Sequence, residues 1–184
     1  MKRSYLFLAT GFEETEAIGT VDVLRRAGMD VKTVSITGDL AVAGAHGIVV
    51  EADYVMAEVD FSDSDWLILP GGLPGATNLF DCNPLTELLV KHYNEGKHVA
   101  AICASPGVVL APLGILKGHK ATAYPGFDKA LAENGAIPTG TRAVIDGNVV
   151  TGNGPSSVFV FGIAIVEAAL GKDKAREVAD GMLM

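Results

Sequence analysis

Three short runs constrain the fold of this chain more than any other feature. They are Tyr5-Leu6-Phe7-Leu8-Ala9, Trp66-Leu67-Ile68-Leu69 and Val99-Ala100-Ala101-Ile102. Each is apolar at every position and each stops at a turn. A strand exposed on one face would alternate; a parallel strand buried on both faces reads this way. Helical patterns lie between the runs. A first strand over Ser4 to Ala9 and a second over Asp30 to Ile36 bracket a helix over Glu13 to Ala27, a βαβ unit. In that helix Ala17, Ile18, Val21 and Leu24 form one apolar stripe, acids open it, and Arg25 and Arg26 close it. Strands follow over Asp65 to Leu69 and Val99 to Ile102, separated by a helix that Asn83-Pro84 starts and Gly96 stops. Alternation of this kind predicts an α/β fold with a doubly wound parallel sheet, in one domain over residues 1–184.

The remaining segments are less regular. Leu40 to Val50, with Gly44 and Gly47, predicts a hairpin or an excursion off the main sheet. Asp53 to Phe61 has no clear pattern, and loop residues run from Pro70 to Asn78. A further strand is expected over Lys120 to Ala123 and a short helix over Phe127 to Glu133. Ala143 to Ile145 and Val149 to Thr151 pair around Asp146-Gly147-Asn148. Gly152-Asn153-Gly154-Pro155-Ser156 opens a long helix to about Leu170. Its Phe159, Phe161, Ile163, Ile165 and Val166 leave almost no polar face, which predicts deep burial all round. A closing helix starts at Lys172.

Charge and cysteine usage narrow the function. A net charge of −8 over 184 residues argues against nucleic acid or an anionic membrane surface as the main partner. Lys2 and Arg3 precede the first apolar run, but it is too short for a secretion signal and Glu13, Glu14 and Glu16 follow at once. No stretch approaches the roughly 20 apolar residues of a membrane helix. The two cysteines, Cys82 and Cys103, form no disulfide-framework or metal-ligand spacing, which suits a reducing cytoplasm and no metal.

Cys103 stands where the Val99 to Ile102 strand turns into Ser105-Pro106-Gly107, a capping residue and a proline suited to a first helical turn. Strand-to-helix corners present nucleophiles at the top of α/β sheets. A helix N-terminus beside the sulfur would favour thiolate. The other reading is a small buried hydrophobe. In doubly wound sheets, sites form at the carboxyl ends of the strands. That rule brings three turns to one edge: Thr10 to Glu16, Pro70-Gly71-Gly72 and Cys103-Ala104-Ser105. Glu16 precedes the buried stripe and should point inward, while Glu13 and Glu14 read as solvated helix-start residues. Backbone N–H groups of the Gly71-Gly72 pair, with that of Ala104, could form an oxyanion hole. Three glutamates after the first strand would repel the phosphate of a nucleotide ligand. His92, His98 and His119 should not reach Cys103; His46 could, from its own chain or a partner. Cys82 is either a resolving cysteine or an incidental loop thiol.

In order along the chain stand Glu14-Thr15-Glu16 with Val21-Asp22-Val23-Leu24-Arg25-Arg26-Ala27-Gly28, Leu69-Pro70-Gly71-Gly72, Ala101-Ile102-Cys103-Ala104-Ser105-Pro106, and Gly154-Pro155 leading to Ala164-Ile165-Val166-Glu167-Ala168. With these the chain resembles the ThiJ/PfpI superfamily, most closely its parkinsonism-associated protein deglycase and YajL-like branch. The resemblance implies a flavodoxin-like fold of the class I glutamine amidotransferase type and a homodimer. It implies that Cys103 is the reactive elbow cysteine, that Glu16 is its buried acid, and that Gly72 and Ala104 face an oxyanion. It implies a cofactor-free glyoxalase or protein deglycase acting on small aldehydes or glycated substrates, with oxidative-stress and chaperone roles through cysteine oxidation. Ala104 stands where the peptidase-like branch has histidine, Tyr124 where the deglycase branch has histidine, and His46 where that branch often has arginine. Tyr124, His46, Gly71 and Asn153 are the further candidate pocket residues. Three readings follow: an enzyme on reactive carbonyls, a non-enzymatic redox sensor or chaperone through Cys103, and an amide or ester hydrolase.

Overall fold

The computed structural model describes residues 3–184, so Met1 and Lys2 lie outside the described residues. In chain order the elements are β1 (Arg3–Leu8), α1 (Glu14–Arg26), β2 (Val31–Ser35), β3 (Ala41–Ala43), β4 (Val49–Glu51), β5 (Tyr54–Val55) and β6 (Ser64–Leu69). Then come α2 (Gly75–Asp81), α3 (Asn83–Asn94), β7 (His98–Ile102), β8 (Lys120–Ala121), α4 (Asp128–Glu133) and β9 (Ile137–Pro138). The chain closes with β10 (Ala143–Asp146), β11 (Val149–Gly152), α5 (Val158–Leu170) and α6 (Lys172–Gly181).

Seven strands form one sheet in the order β10-β11-β7-β6-β1-β2-β5. All neighbours pair parallel except β10 with β11. Strand residues alternate between two cores, as the pleat requires. Leu6, Leu8, Trp66, Ile68, Ala100 and Ile102 face α1, α5 and α6. Tyr5, Phe7, Leu67, Leu69, Val99 and Ala101 face the layer of α2, α3 and α4. Burying a leucine or phenylalanine here contributes about 1.5–3 kcal/mol, which is why these runs lack any polar position. Glycines bring α1 and α5 together: a Cβ on Gly162 would sit 2.9 Å from Val23, and one on Gly19 3.0 Å from Val158.

The α/β fold, the parallel sheet and the hairpin of β10 and β11 stand as expected. Several local expectations do not. Part of the expected loop before Asn78 is α2, whose buried positions are Gly75, Ala76 and Leu79. Gly75 packs so tightly on the turn after β1 that a Cβ would lie 2.6 Å from Gly11 O, and so small a buried face carries little periodic signal. The strand expected over Lys120 to Ala123 shrinks to β8, which pairs with β9 outside the main sheet. The Asp53 to Phe61 segment resolves into the edge strand β5 and a 3-10 turn over Met56–Glu58. α5 is not buried all round: Val158, Phe161, Gly162, Ile165 and Val166 are buried, while Phe159 is 44% exposed. On α1, Ile18 is likewise outside, at 47%.

Candidate active site

β1, β6 and β7 are adjacent and parallel, so the turns that follow them share one edge of the sheet. The chain builds β2 and β5 outward from β1, then crosses back to start β6 on its other side. The strand order reverses between β1 and β6, which is where open α/β sheets leave a crevice. Glu16, Gly71, Gly72 and Cys103 come to that crevice from three separate segments.

Cys103 is the corner. Its φ is +65°, in the left-handed region that costs a non-glycine residue roughly 1–2 kcal/mol. The conformation is over-determined by its neighbours. Cys103 N–H donates to Gly152 O at 2.9 Å, and Cys103 O accepts from Tyr124 N–H at 2.8 Å. The Ser105 hydroxyl donates to Pro70 O, tying the elbow to the loop after β6. Ser105 is therefore not the helix cap its type predicts; its side chain makes no capping bond. The turn it precedes is a five-residue π-helical segment, Pro106–Leu110. So short a segment sums few peptide dipoles, so the expected helix-dipole activation of the thiol gives way to local groups. These are the N–H groups of Gly72 and Ala104, which favour the thiolate, and the carboxyl of Glu16, which opposes it when ionised.

Glu16 is fully buried. Its backbone N–H is held by the Glu13 side chain, the cap of α1, at 2.7 Å. Its Oε2 accepts from Gly71 N–H at 2.8 Å. Oε1 has no hydrogen-bond partner, and the carboxyl lies beside Cys103, both bordering the Cα of Gly71. Burial pushes Glu16 up to about 7, against the pull of the Cys103 and Gly71 hydrogen bonds. Burial, then the charge and hydrogen bond of an ionised Glu16, push the Cys103 thiol up to about 12, while the Gly72 and Ala104 N–H groups pull it down. The two groups thus share a proton near neutrality. It sits as thiol beside carboxylate or as thiolate beside carboxylic acid, and only the second form is a nucleophile.

The fit allows no side chain at position 71. A Cβ there would lie 2.5 Å from Cys103 Cβ and 2.7 Å from Glu16 Oε2. Gly71→Ala is expected to destabilise the fold by about 1–3 kcal/mol through overpacking and to change the alkylation rate of Cys103. Urea unfolding and iodoacetamide kinetics check this.

Residues 2–168 match the DJ-1/PfpI family. This chain belongs to that family. The protein DJ-1 homolog A of Arabidopsis thaliana is 39% identical over 177 residues, 96% of this chain and 45% of that protein. The chain spans less than half the length of this plant relative and of the plant homolog B. Protein dj-1beta of Drosophila melanogaster is 36% identical over 183 residues, covering 100% of this chain and 97% of that one. Among solved structures, oxidized Toxoplasma gondii DJ-1 superposes with a TM-score of 0.94 at 36% identity, covering 100% and 98% of the two chains.

The other candidate residues of this DJ-1/PfpI chain fall into two groups. Tyr124 is bonded through its backbone to Cys103 O, and its ring lies over Gly154. Asn153 lies next to Gly154, and its Oδ1 accepts from the Ser157 hydroxyl at 2.6 Å, a bond that fixes the start of α5. Gly71 and Gly72 lie against Cys103 and Glu16. His46 does not contact Cys103; its ring Nδ1 meets Glu14 Oε2 at 2.8 Å. Glu14 itself is buried rather than solvated, because the hairpin of β3 and β4 folds over it. The glycines flanking His46 were the available signal, since Gly44 leaves room for the Glu14 carboxylate. Glu13, Glu14 and His46 bring ligand-type atoms within 4.8 Å of one another, but Glu14 spends both oxygens on N–H donors of the hairpin and Glu13 caps α1.

The remaining histidines are engaged elsewhere. His92 is buried among Ser64, Asp65 O and His98 O, and burial lowers its pKa. His119 bonds the Tyr93 hydroxyl at 2.8 Å, and His98 stacks on Trp66. Cys82 sits at the junction of α2 and α3 and lines a separate cavity with Ile36, Val55 and Met56. No described helix is long and apolar enough to cross a membrane.

Proposed function

We propose that this chain is a cysteine-dependent, cofactor-free enzyme acting on small reactive carbonyls, of the glyoxalase or protein deglycase type. The observation that carries this reading is the buried contact between the Cys103 thiol and the Glu16 carboxyl at a strained corner. In the thiolate form the sulfur adds to an aldehyde carbon. The new alkoxide takes the Glu16 proton, assisted by the N–H groups of Gly72 and Ala104, and a hemithioacetal results. With methylglyoxal, Glu16 as carboxylate then removes the proton from the former aldehyde carbon and delivers it to the neighbouring carbon, while the hydroxyl proton of the former aldehyde carbon passes to the ketone oxygen. That converts the hemithioacetal to a thioester with no net change of oxidation state, and water releases lactate and the thiol. The test is conversion of methylglyoxal to lactate by the wild type and its loss in Cys103→Ser.

A second reading is favoured by Tyr124, which is bonded through its backbone to Cys103 O and stands where the deglycase branch has histidine. Cys103 would act as a redox sensor or chaperone switch, two peroxide molecules supplying the two oxygens of a sulfinate. This reading predicts that mild peroxide adds two oxygens to Cys103 while methylglyoxal is not consumed. The hydrolase reading needs a base near Cys103 other than Glu16, and the site holds none among the described residues.

The chain is also proposed to act as a homodimer. Ile18, Ile48, Val49 and Phe159 are 47%, 55%, 62% and 44% exposed. Ile18 and Val50 line one groove, and Gly19, next to Ile18, packs against Val158 and Phe159. A second copy would cover them. Phe159→Glu is expected to yield monomer in sedimentation velocity with little loss of melting temperature; a dimer unchanged by the substitution would place the interface elsewhere.

A further inference from the structure

Glu14 has no part in the steps above, yet it is only 5% exposed. Its Oε1 accepts the backbone N–H of His46 at 2.7 Å and of Ile48 at 3.3 Å, and its Oε2 meets the His46 ring at 2.8 Å. It thus grips the hairpin of β3 and β4 at its closed end. The same hairpin is bonded to the turn after β1: Gly11 N–H donates to Ala43 O, and Ala45 N–H to Phe12 O, both at 2.8 Å. That turn in its turn holds the loop after β6. Glu13 N–H donates to Gly71 O at 3.0 Å, and a Cβ on Gly72 would lie 2.5 Å from Glu13 N. Gly71 N–H binds Glu16 Oε2, and Gly71 lies against Cys103 Cβ. A continuous series of hydrogen bonds therefore joins the Glu14 carboxylate to the Gly71-Gly72 loop.

We infer that Glu14 is a positioning residue. Its clasp on the hairpin holds the Gly71-Gly72 loop against Cys103 and Glu16, and protonation of the His46 ring tightens that clasp. The inference rests on the reading of Cys103 and Glu16 as the reacting pair only for its consequence; the clasp itself is tested without substrate. The titratable groups facing the His46 ring are Glu14 and Glu13, both at the start of α1. The hairpin's own acid, Glu51, pairs with Ala41 at the open end. A protonated ring gives a charge-assisted bond, about twice as strong as a neutral one. The hydrogen bond to Glu14, followed by its charge, raises His46 above its ordinary value. The added hold is accordingly complete at low pH and is lost as pH rises through that raised value. The ring's exposure limits the effect to a modest factor.

Hydrogen exchange of the full chain reads this directly, as protection factors at the amides of His46, Ile48, Gly71 and Gly72. In the wild type all four are expected to fall about three- to tenfold between roughly pH 5.5 and pH 8.5. His46→Lys, with a permanent cation, should keep the low-pH protection across the range. Glu14→Gln should lower all four at least about tenfold at low pH and remove the pH dependence. Wild-type protection that does not change with pH would overturn the titrating clasp. Gly71 and Gly72 protection within about twofold of wild type in Glu14→Gln would overturn the positioning role. Should Glu14→Gln fail to fold, the wild-type series and His46→Lys decide the matter, through co-variation of the hairpin and loop amides. Loss of methylglyoxal turnover in Cys103→Ser is a separate result and leaves this one untouched.

Discussion

Cys103→Ser is expected to lower conversion of methylglyoxal to lactate by at least about 1000-fold while the fold persists. The reason lies in the proton that Cys103 shares with Glu16. A thiol can hand its proton to a buried carboxylate because the acid's own pKa has risen to about 7. A serine hydroxyl holds its proton far more tightly, so the same carboxylate cannot take it. The substitution removes little bulk, and the bonds that build the elbow, from Gly152 O and Tyr124 N–H, use only backbone atoms of residue 103. Circular dichroism and urea unfolding should therefore remain near wild type. Cys82→Ser is the matched control, because Cys82 lines a different cavity. Lactate formation measured by coupled assay checks both.

Glu16→Gln is expected to cost about 100- to 10,000-fold in turnover, the usual worth of a positioned acid–base group. Glutamine keeps the shape and an oxygen for the Gly71 N–H but cannot carry the proton. The same substitution changes how stability depends on pH. Glu16 rises from an ordinary 4.5 to about 7 on folding, so the native state binds more protons between those values. Its stabilising contribution is full below about 4.5 and is lost as pH rises through about 7. At ~1.4 kcal/mol per pKa unit, the loss approaches about 3 kcal/mol. Urea unfolding should show wild type losing more stability than Glu16→Gln between about pH 5 and pH 8, because the variant lacks this titration.

How far the fold was legible depends on how much each segment carries its own signal. Tyr5, Leu67 and Val99 stand in runs so uniformly apolar that burial on both faces was the only reading. The convergence of Glu16, Gly72 and Cys103 then followed from strand ends, before any side-chain geometry. Family membership was legible from the same motifs. What stayed hidden depends on partners distant in sequence. Ser105 has the type of a cap, but Pro70 O offers its hydroxyl a better acceptor. Glu14 has the type of a solvated helix start, but a hairpin 32 to 34 residues away covers it. Ile18 fits the apolar stripe of α1 and Phe159 that of α5, yet both face outward; periodicity shows an apolar face without showing whether its cover comes from the same chain. The thiol was expected to be activated by a helix N-terminus, and the structure instead gives it a five-residue π segment and a buried acid.

The central claim is that Cys103 and Glu16 titrate as one unit, and the rate of Cys103 alkylation against pH measures it. In the wild type we expect two steps. Reactivity should rise through about 7 to a plateau as the pair drops to a single shared proton, and rise again toward about 12 as the last proton leaves. In Glu16→Gln the lower step should vanish. A single step at the free-thiol value of about 8.5, identical in wild type and Glu16→Gln, would contradict the account and leave Cys103 an ordinary packed cysteine.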